Sequence, residues 1–249
     1  MIFVRTLLAA SLVAMTLAFA GAAIASEKPL TVIELYTSQG CSSCPPADAY
    51  LGELAEPAES LLGEIARRDD VVALAFHVDY WNYLGWEDPY SDAAYSQRQR
   101  DYARFFDARN VYTPQMVIQG THQAVGSNRS AVQRAMNDAA SLPHVNMELA
   151  RRDGELLLAL PAVQGIDNAR VLMVMYDNEH ITAVRRGENR GKKMRNRNVV
   201  RNLSHVATWR GEAMTVPLSY VGLKGDKGAV LLQSTESGAI LGAVLFDIN

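Results

Sequence analysis

Cysteine is scarce in this chain: two residues out of 249, Cys41 and Cys44. So few exclude a scaffold stapled by disulfides, which needs several widely spaced pairs. Charge of one sign is lacking as well, since 24 basic and 27 acidic side chains leave a formal net charge of -3. No overall field therefore favours nucleic acid or an anionic membrane. The histidines, at positions 77, 122, 144, 180 and 205, show no close metal-ligand spacing, and no methionine-rich or histidine-rich segment accompanies them. A phosphate-binding glycine loop, a serine-hydrolase elbow and a zinc-protease helix are all missing. So are internal repeats, low-complexity linkers and, after residue 25, any run apolar enough to cross a membrane.

What the first 25 residues hold is different in kind. Arg5 is their only charged side chain, and an apolar run over residues 7–20 follows it. This is the pattern of a secretory signal, with Ala23, Ile24 and Ala25 as the small-residue cleavage site and Ser26 as the expected mature N-terminus. The alternative is an uncleaved anchor over residues 6–25, about the length that spans a bilayer. The expected location is periplasmic or secreted, with no stable membrane insertion after cleavage.

At 49% hydrophobic residues, the chain has enough apolar side chain for a full core in one large or two modest domains. Residues 31–36 read as a short buried strand carrying one carboxylate, Glu34. Residues 37–40 turn, and Pro45 and Pro46 stand where a first helical turn tolerates missing N–H groups. Ala47, Leu51, Leu54 and Ala58 then recur at helical spacing, with a kink expected at Pro57 and the apolar face resuming at Leu61, Leu62 and Ile65. Residues 71–76 form a continuous apolar run suited to the middle of a sheet. A second helix is expected after Ser91 or Asp92, with Tyr95, Tyr102, Phe105 and Phe106 as its buried stripe against arginines and glutamines. A strand interrupted by Pro114 follows, then a third helix after Ser127 or Asn128 with Val132, Ala135, Met136 and Ala139 on one face. Beyond Pro143 short apolar or alternating runs dominate, at 145–150, 156–160, 171–176, 229–233 and 239–246. Two domains are expected, the first α/β and the second β-rich and sandwich-like. The basic run from Arg185 to Arg201 reads as a solvated loop between strands, or as a surface for an acidic partner or a membrane.

The chemistry concentrates in Cys41-Ser42-Ser43-Cys44. A disulfide closing so short a loop removes little entropy from the unfolded chain, so this spacing suits exchange better than stapling. With the second cysteine at a helix start, backbone N–H groups and the helix dipole favour a thiolate at Cys41. Cys41 is the expected nucleophile and Cys44 the less accessible resolving thiol.

These residues resemble the thioredoxin-like superfamily: a strand leads into the cysteine pair, and a strand and helix separate the pair from Thr113-Pro114, directly before another strand. Residues 34–48, His77-Val78-Asp79-Tyr80-Trp81, Tyr112-Thr113-Pro114-Gln115, Arg186-Gly187-Glu188-Asn189 and Asn198-Val199-Val200 look more narrowly like an uncharacterised family of secreted thioredoxin-like proteins, a domain of unknown function. The resemblance implies a thioredoxin-like domain over residues 28–142 and the smaller β-rich domain over 143–249. It also implies a cis peptide bond at Pro114, with Thr113 offering backbone hydrogen bonds to an extended substrate segment. Ser42 and Ser43 replace the proline or histidine of better-known relatives. The redox direction stays open, because about 30 mV corresponds to only about 1.4 kcal/mol.

Glu34 has two readings: a buried acid that relays a proton to the resolving cysteine, as the resemblance suggests, or a strand-edge carboxylate reaching solvent or a basic partner. Tyr80, Trp81, Tyr83 and Trp86 either wall a substrate groove, with Trp81 the candidate binding residue, or fold back onto the core. His77 reads as a hydrogen-bonded structural residue or, with Asp79, as a relay. The expectation is thus a thiol–disulfide oxidoreductase acting on protein thiols and disulfides with an unidentified redox partner, without cofactor, metal or nucleic acid. The alternatives are a copper-binding protein or metallochaperone using the same cysteines, since soft thiolates suit Cu(I), and a non-catalytic binding module.

Overall fold

Alternate side chains of β1 (Thr31–Thr37) face opposite ways and all but the first are buried, as a strand in the middle of a covered sheet requires. Beside it runs β2 (Val71–His77), parallel and in register from Thr31 opposite Val71 to Thr37 opposite His77. The computed structural model describes residues 29–55, 70–166 and 168–248. The expected signal over residues 1–25, the kink at Pro57 and the apolar positions Leu61, Leu62 and Ile65 lie outside the described residues.

The first half of the described chain continues through α1 (Pro45–Ala55), a single 3-10 turn at Asn82–Leu84, α2 (Ala93–Phe105), β3 (Gln115–Ile118), β4 (His122–Val125) and α3 (Arg129–Ala139). The caps follow local chemistry. The Asp92 carboxylate accepts from the Ala94 amide at 2.8 Å to start α2, and the Asn128 side chain accepts from Ala131 at 3.1 Å to start α3. The second half is all strand: β5 (Glu148–Arg152), β6 (Glu155–Leu160), β7 (Ala169–Ala183), β8 (Lys193–Trp209), β9 (Met214–Leu218), β10 (Lys227–Ser234) and β11 (Ile240–Asp247).

The protein is therefore mixed α/β, and most of its strands join one eight-stranded sheet in the order β11-β10-β7-β8-β2-β1-β3-β4. The sheet does not stop at residue 142: β8 lies alongside β2, with Ala75 opposite Val199. β5, β6 and β9 form a separate three-stranded sheet. One face of the large sheet carries a cluster that includes Val32, Tyr36, Leu74, Phe76, Val174 and Leu231, closed by Tyr95 and Tyr102 of α2. The other face is covered at one end by α1 and α3, over Ile33, Leu35, Ala73 and Met116. At its other end the three-stranded sheet packs Leu149, Leu158 and Val216 onto Val171, Met173 and Val230. Each fully buried large apolar side chain contributes about 1.5–3 kcal/mol.

Two charge patterns fold differently from the expectation. Arg98 turns inward from α2, because its guanidinium meets Glu34 across the α2-facing cluster. The basic run is a loop only to residue 192; from Lys193 it is strand β8, paired with β7 through Ala183 opposite Lys193. That long antiparallel hairpin satisfies the backbone, while its charged side chains remain at the surface.

Candidate functional site

β1 delivers the chain to the cysteines through a buried turn in which Thr37, Ser38 and Gln39 are all excluded from solvent. At Gly40 an added Cβ would stand 3.1 Å from the Trp81 Cβ, so a side chain there would press Trp81 back by a few tenths of an ångström. The Cys41 amide donates to the Ser38 carbonyl at 3.1 Å, and the Ala47 and Asp48 amides donate to the Cys44 carbonyl at 2.9 and 3.1 Å. Cys44 thus stands at the cap of α1, and Pro45 and Pro46 occupy the first turn.

Cys41 and Cys44 are joined as a disulfide. Cys41 is only 1% exposed and Cys44 fully buried, whereas Ser42 and Ser43 lie in solvent. Two hydroxyls converge on the Cys41 sulfur, Ser43 Oγ and Thr113 Oγ1, each at 3.3 Å. Thr113 Oγ1 accepts a hydrogen bond from Trp81 Nε1 at 2.7 Å and turns its own proton to the sulfur. The Thr113–Pro114 peptide bond is cis, and Pro114 is buried. The structure thus gathers Cys41, Cys44, Thr113, Pro114 and Trp81 into one locality.

Glu34 is not brought there. The alternation of β1 points it to the α2-facing side of the sheet, away from α1. Arg98 Nε and Nη2 donate to its two oxygens at 2.7 Å, with Tyr36 and Tyr102 hydroxyls at 2.9 and 2.7 Å. A carboxylate so paired fits the second of its two readings, an acid held by a basic partner, and it stands on the face of the sheet opposite α1.

The polar groups that do lie on the α1 side are Asp48, His77 and Asp88. Asp48 is one helical turn beyond Cys44 and on the same face of α1. It accepts from Thr37 Oγ1 at 2.8 Å, while its second oxygen has no hydrogen-bond partner. Burial raises its carboxyl to about 6, against the opposing pull of His77 and the Thr37 hydroxyl. His77 Nδ1 meets Asp88 Oδ2 at 2.7 Å, and His77 Nε2 is buried without a partner. Burial works against the imidazolium, but the Asp88 carboxylate and then Asp48 outweigh it and raise the His77 pKa. Asp88 is correspondingly held below its usual range: burial is overcome by His77 and by the Gln39 and Tyr90 amides. The Asn196 amide lies close enough to restrain the Asp48 shift but outside hydrogen-bond geometry, so its Nδ2 is a third unpartnered buried atom.

Gln39 ties this cluster to the second half of the chain. Its amide donates to Asp88 at 2.7 Å, its Nε2 to Asn196 at 3.0 Å, and its Oε1 accepts from Trp86 at 3.2 Å. The β7–β8 loop then closes over the cysteines. Asn189, fully buried, donates to the carbonyls of Gln39 and Cys41 at 2.9 and 2.8 Å, and its own Oδ1 accepts from Lys192 at 2.8 Å. Glu188 accepts from the Ser42 amide at 2.9 Å, and the Ser42 hydroxyl and amide hold its carboxyl below the usual range. Gly187 precedes them at a φ of 70°, in the left-handed region that suits glycine. Periodicity marks none of Gln39, Asp48, Asp88, Asn189 or Asn196 for this role; Gln39, Asp48, Glu188 and Asn189 stand only inside the motifs that carry the family resemblance.

The aromatic segment divides. Tyr80 and Trp81 pack partly buried against the α2-facing cluster, Trp86 serves Gln39, and Tyr83 is 78% exposed. His77 is engaged as described, whereas Asp79 accepts from the Ser96 hydroxyl instead of joining it. Among the described residues no group of three histidine, cysteine, aspartate or glutamate side chains gathers to hold a metal ion, and no helix is long and apolar enough to cross a membrane.

A family described as "Protein of unknown function (DUF1223)" matches residues 32–233. A crystal structure of an Agrobacterium tumefaciens protein is 33% identical with a TM-score of 0.73, covering 90% of this chain and 97% of that one. HBP35 of Porphyromonas gingivalis is similar at 12% identity and a TM-score of 0.53, over 90% of this chain and 76% of its own, a likeness of fold alone. No curated protein matches the sequence.

Proposed function

The chain belongs to the DUF1223 family, and from that premise we propose that it is an exported thiol–disulfide oxidoreductase of thioredoxin-like fold, acting on protein thiols and disulfides. The observation that carries this reading is the cysteine pair at the start of α1, with the hydroxyls of Ser43 and Thr113 both on the Cys41 sulfur and a cis Pro114 directly after Thr113. Helices on both faces of the sheet, α1 and α3 against α2, support the fold assignment. Export rests on the sequence pattern of residues 1–25.

In the reduced protein the Cys41 thiolate, favoured by the helix N-terminus and by two hydroxyl donors, attacks one sulfur of a partner disulfide. A bond forms between Cys41 and that sulfur, and the partner's other sulfur leaves as a thiolate. Cys44 then gives up its proton and attacks the Cys41 sulfur, which forms the Cys41–Cys44 disulfide and releases the partner's second thiolate. Two electrons pass from the dithiol to the partner, and the reverse sequence oxidises a partner dithiol. Asp48, on the same helix face and with a carboxyl near 6, takes the place expected of Glu34 as acceptor of the Cys44 proton.

The test is a Cys44→Ser variant of the mature protein, incubated with periplasmic-type client proteins. Trapped mixed disulfides through Cys41, lost in a Cys41→Ser companion, are the expected result. No trapped species, together with no redox cycling of the wild type in glutathione buffers, would sink the reading.

A further inference from the structure

The loop that latches the cysteines also carries an unbalanced charge. Residues 184–197 hold seven basic side chains and one acidic one, in a chain whose net charge is -3. The acidic one, Glu188, is spent on the Ser42 amide. Arg185, Arg186 and Arg190 are exposed, and their guanidinium groups have no ion pair or hydrogen bond among the described residues. Unpaired cations this close together repel one another, so the arrangement costs stability that an anionic ligand restores.

Shape adds direction to the charge. Together with Leu84, Gly187 and Glu188, these arginines line a concavity of about 650 Å³. The loop is firm, because the Gly191 amide donates to Val184, the Arg190 amide to Gly187 and the Val184 amide to Lys192. Tyr83, the chain neighbour of the lining residue Leu84, is itself exposed. Arginine is among the side chains enriched where proteins dock on one another. The hollow adjoins the redox pair directly, since its Glu188 is hydrogen-bonded to the residue after Cys41.

We infer that this concavity is a docking site for an acidic, extended polypeptide segment next to the reacting cysteine of the partner protein. A concave surface beside the disulfide fits a chain threading toward Cys41 better than it fits a flat anionic bilayer. The inference rests on the oxidoreductase reading only for its position; the charge recognition stands apart from any electron transfer.

The test separates the two. A fluorescent acidic peptide with serine in place of its cysteine, and a neutral peptide of the same length, are titrated against the mature protein by polarisation. The acidic peptide is expected to bind at least about tenfold more tightly, a preference that shrinks as salt rises through about 0.15 M. It is expected to collapse in the triple variant Arg185→Glu, Arg186→Glu, Arg190→Glu. Equal binding of the two peptides, or a preference that survives the triple variant, overturns the inference. Sedimentation with phosphatidylglycerol vesicles that depends on the three arginines, without peptide preference, overturns it in favour of a membrane. Cysteine-containing peptides then report on the chemistry. If the two peptides bind equally and Cys44→Ser traps both, docking fails and the redox reading stands; if the acidic peptide binds preferentially but is never trapped, docking stands and the redox reading fails.

Discussion

Asn189 and Cys41 are 148 residues apart in sequence and 2.8 Å apart in space, the side-chain amide of one donating to the carbonyl of the other. The same amide holds Gln39, so one buried side chain from the β7–β8 loop fixes the backbone on which the nucleophile sits. Cys41 itself is 1% exposed, and the second half of the chain thus completes the site that the first half begins.

Removing the latch has a defined outcome. Asn189→Ala takes a donor from two buried carbonyls; that of Cys41 keeps the Cys44 amide at 3.2 Å, while that of Gln39 loses its side-chain donor, which costs about 1–3 kcal/mol if no water replaces it. Global stability in urea falls by an amount in that range, and a water-soluble phosphine reduces the Cys41–Cys44 disulfide several-fold faster. An unchanged reduction rate shows that the loop does not limit access.

Asp48 predicts a pH dependence. Burial lifts its carboxyl from 3.8 to about 6, so the protonated form is the one the fold favours. The stabilisation from this group is complete below pH 3.8 and is lost as pH rises through 6. A shift of this size corresponds to about 3 kcal/mol. Asp48→Asn has no proton to lose, so its stability relative to wild type grows by about that much from acid to pH 7.5. Urea melts at both ends of the range measure it, and a flat difference refutes the assignment.

On the opposite face, Glu34→Gln breaks a buried ion pair and leaves Arg98 with an uncompensated charge. The expected loss is about 3–5 kcal/mol. The redox potential of the cysteines stays at its wild-type value, because the sheet separates Glu34 from the α1 side. A potential that moves with Glu34 restores it to the relay role.

How much of this was legible in sequence depends on the range of the interaction. β1 and β2 were readable because continuous burial writes itself as uninterrupted apolar runs, and the caps Asp92 and Asn128 act on amides two or three residues away. Arg98 was not readable: helical periodicity turns charge outward unless a partner awaits it, and Glu34 lies 64 residues earlier. β8 was obscured for the same reason, since its basic side chains hide a backbone that pairs with β7. The cysteine pair was legible through its spacing, and Thr113 through the family resemblance, while Trp81 was one of two readings of an aromatic loop. Gln39 meets Asp88 49 residues on, and Asn189 and Asn196 of the β7–β8 hairpin 150 and 157 residues on, contacts that no local pattern encodes.

Thr113 offers the sharpest check on the nucleophile. Its hydroxyl accepts from Trp81 Nε1 and donates to the Cys41 sulfur at 3.3 Å, and a donor to a sulfur stabilises the thiolate over the thiol. Thr113→Val is nearly isosteric but deletes that donor and leaves the Trp81 indole without its acceptor. A hydrogen bond to a charged group is worth about 1.5–3 kcal/mol, so the Cys41 pKa is expected to rise by about one to two units. The pH dependence of iodoacetamide alkylation in the Cys44→Ser background measures it without interference from the second thiol. Ser43→Ala removes the other hydroxyl and is expected to act in the same direction, by less, because Ser43 is exposed and water replaces its donor. If both variants titrate like wild type, the helix N-terminus alone sets the thiolate and the hydroxyls are bystanders.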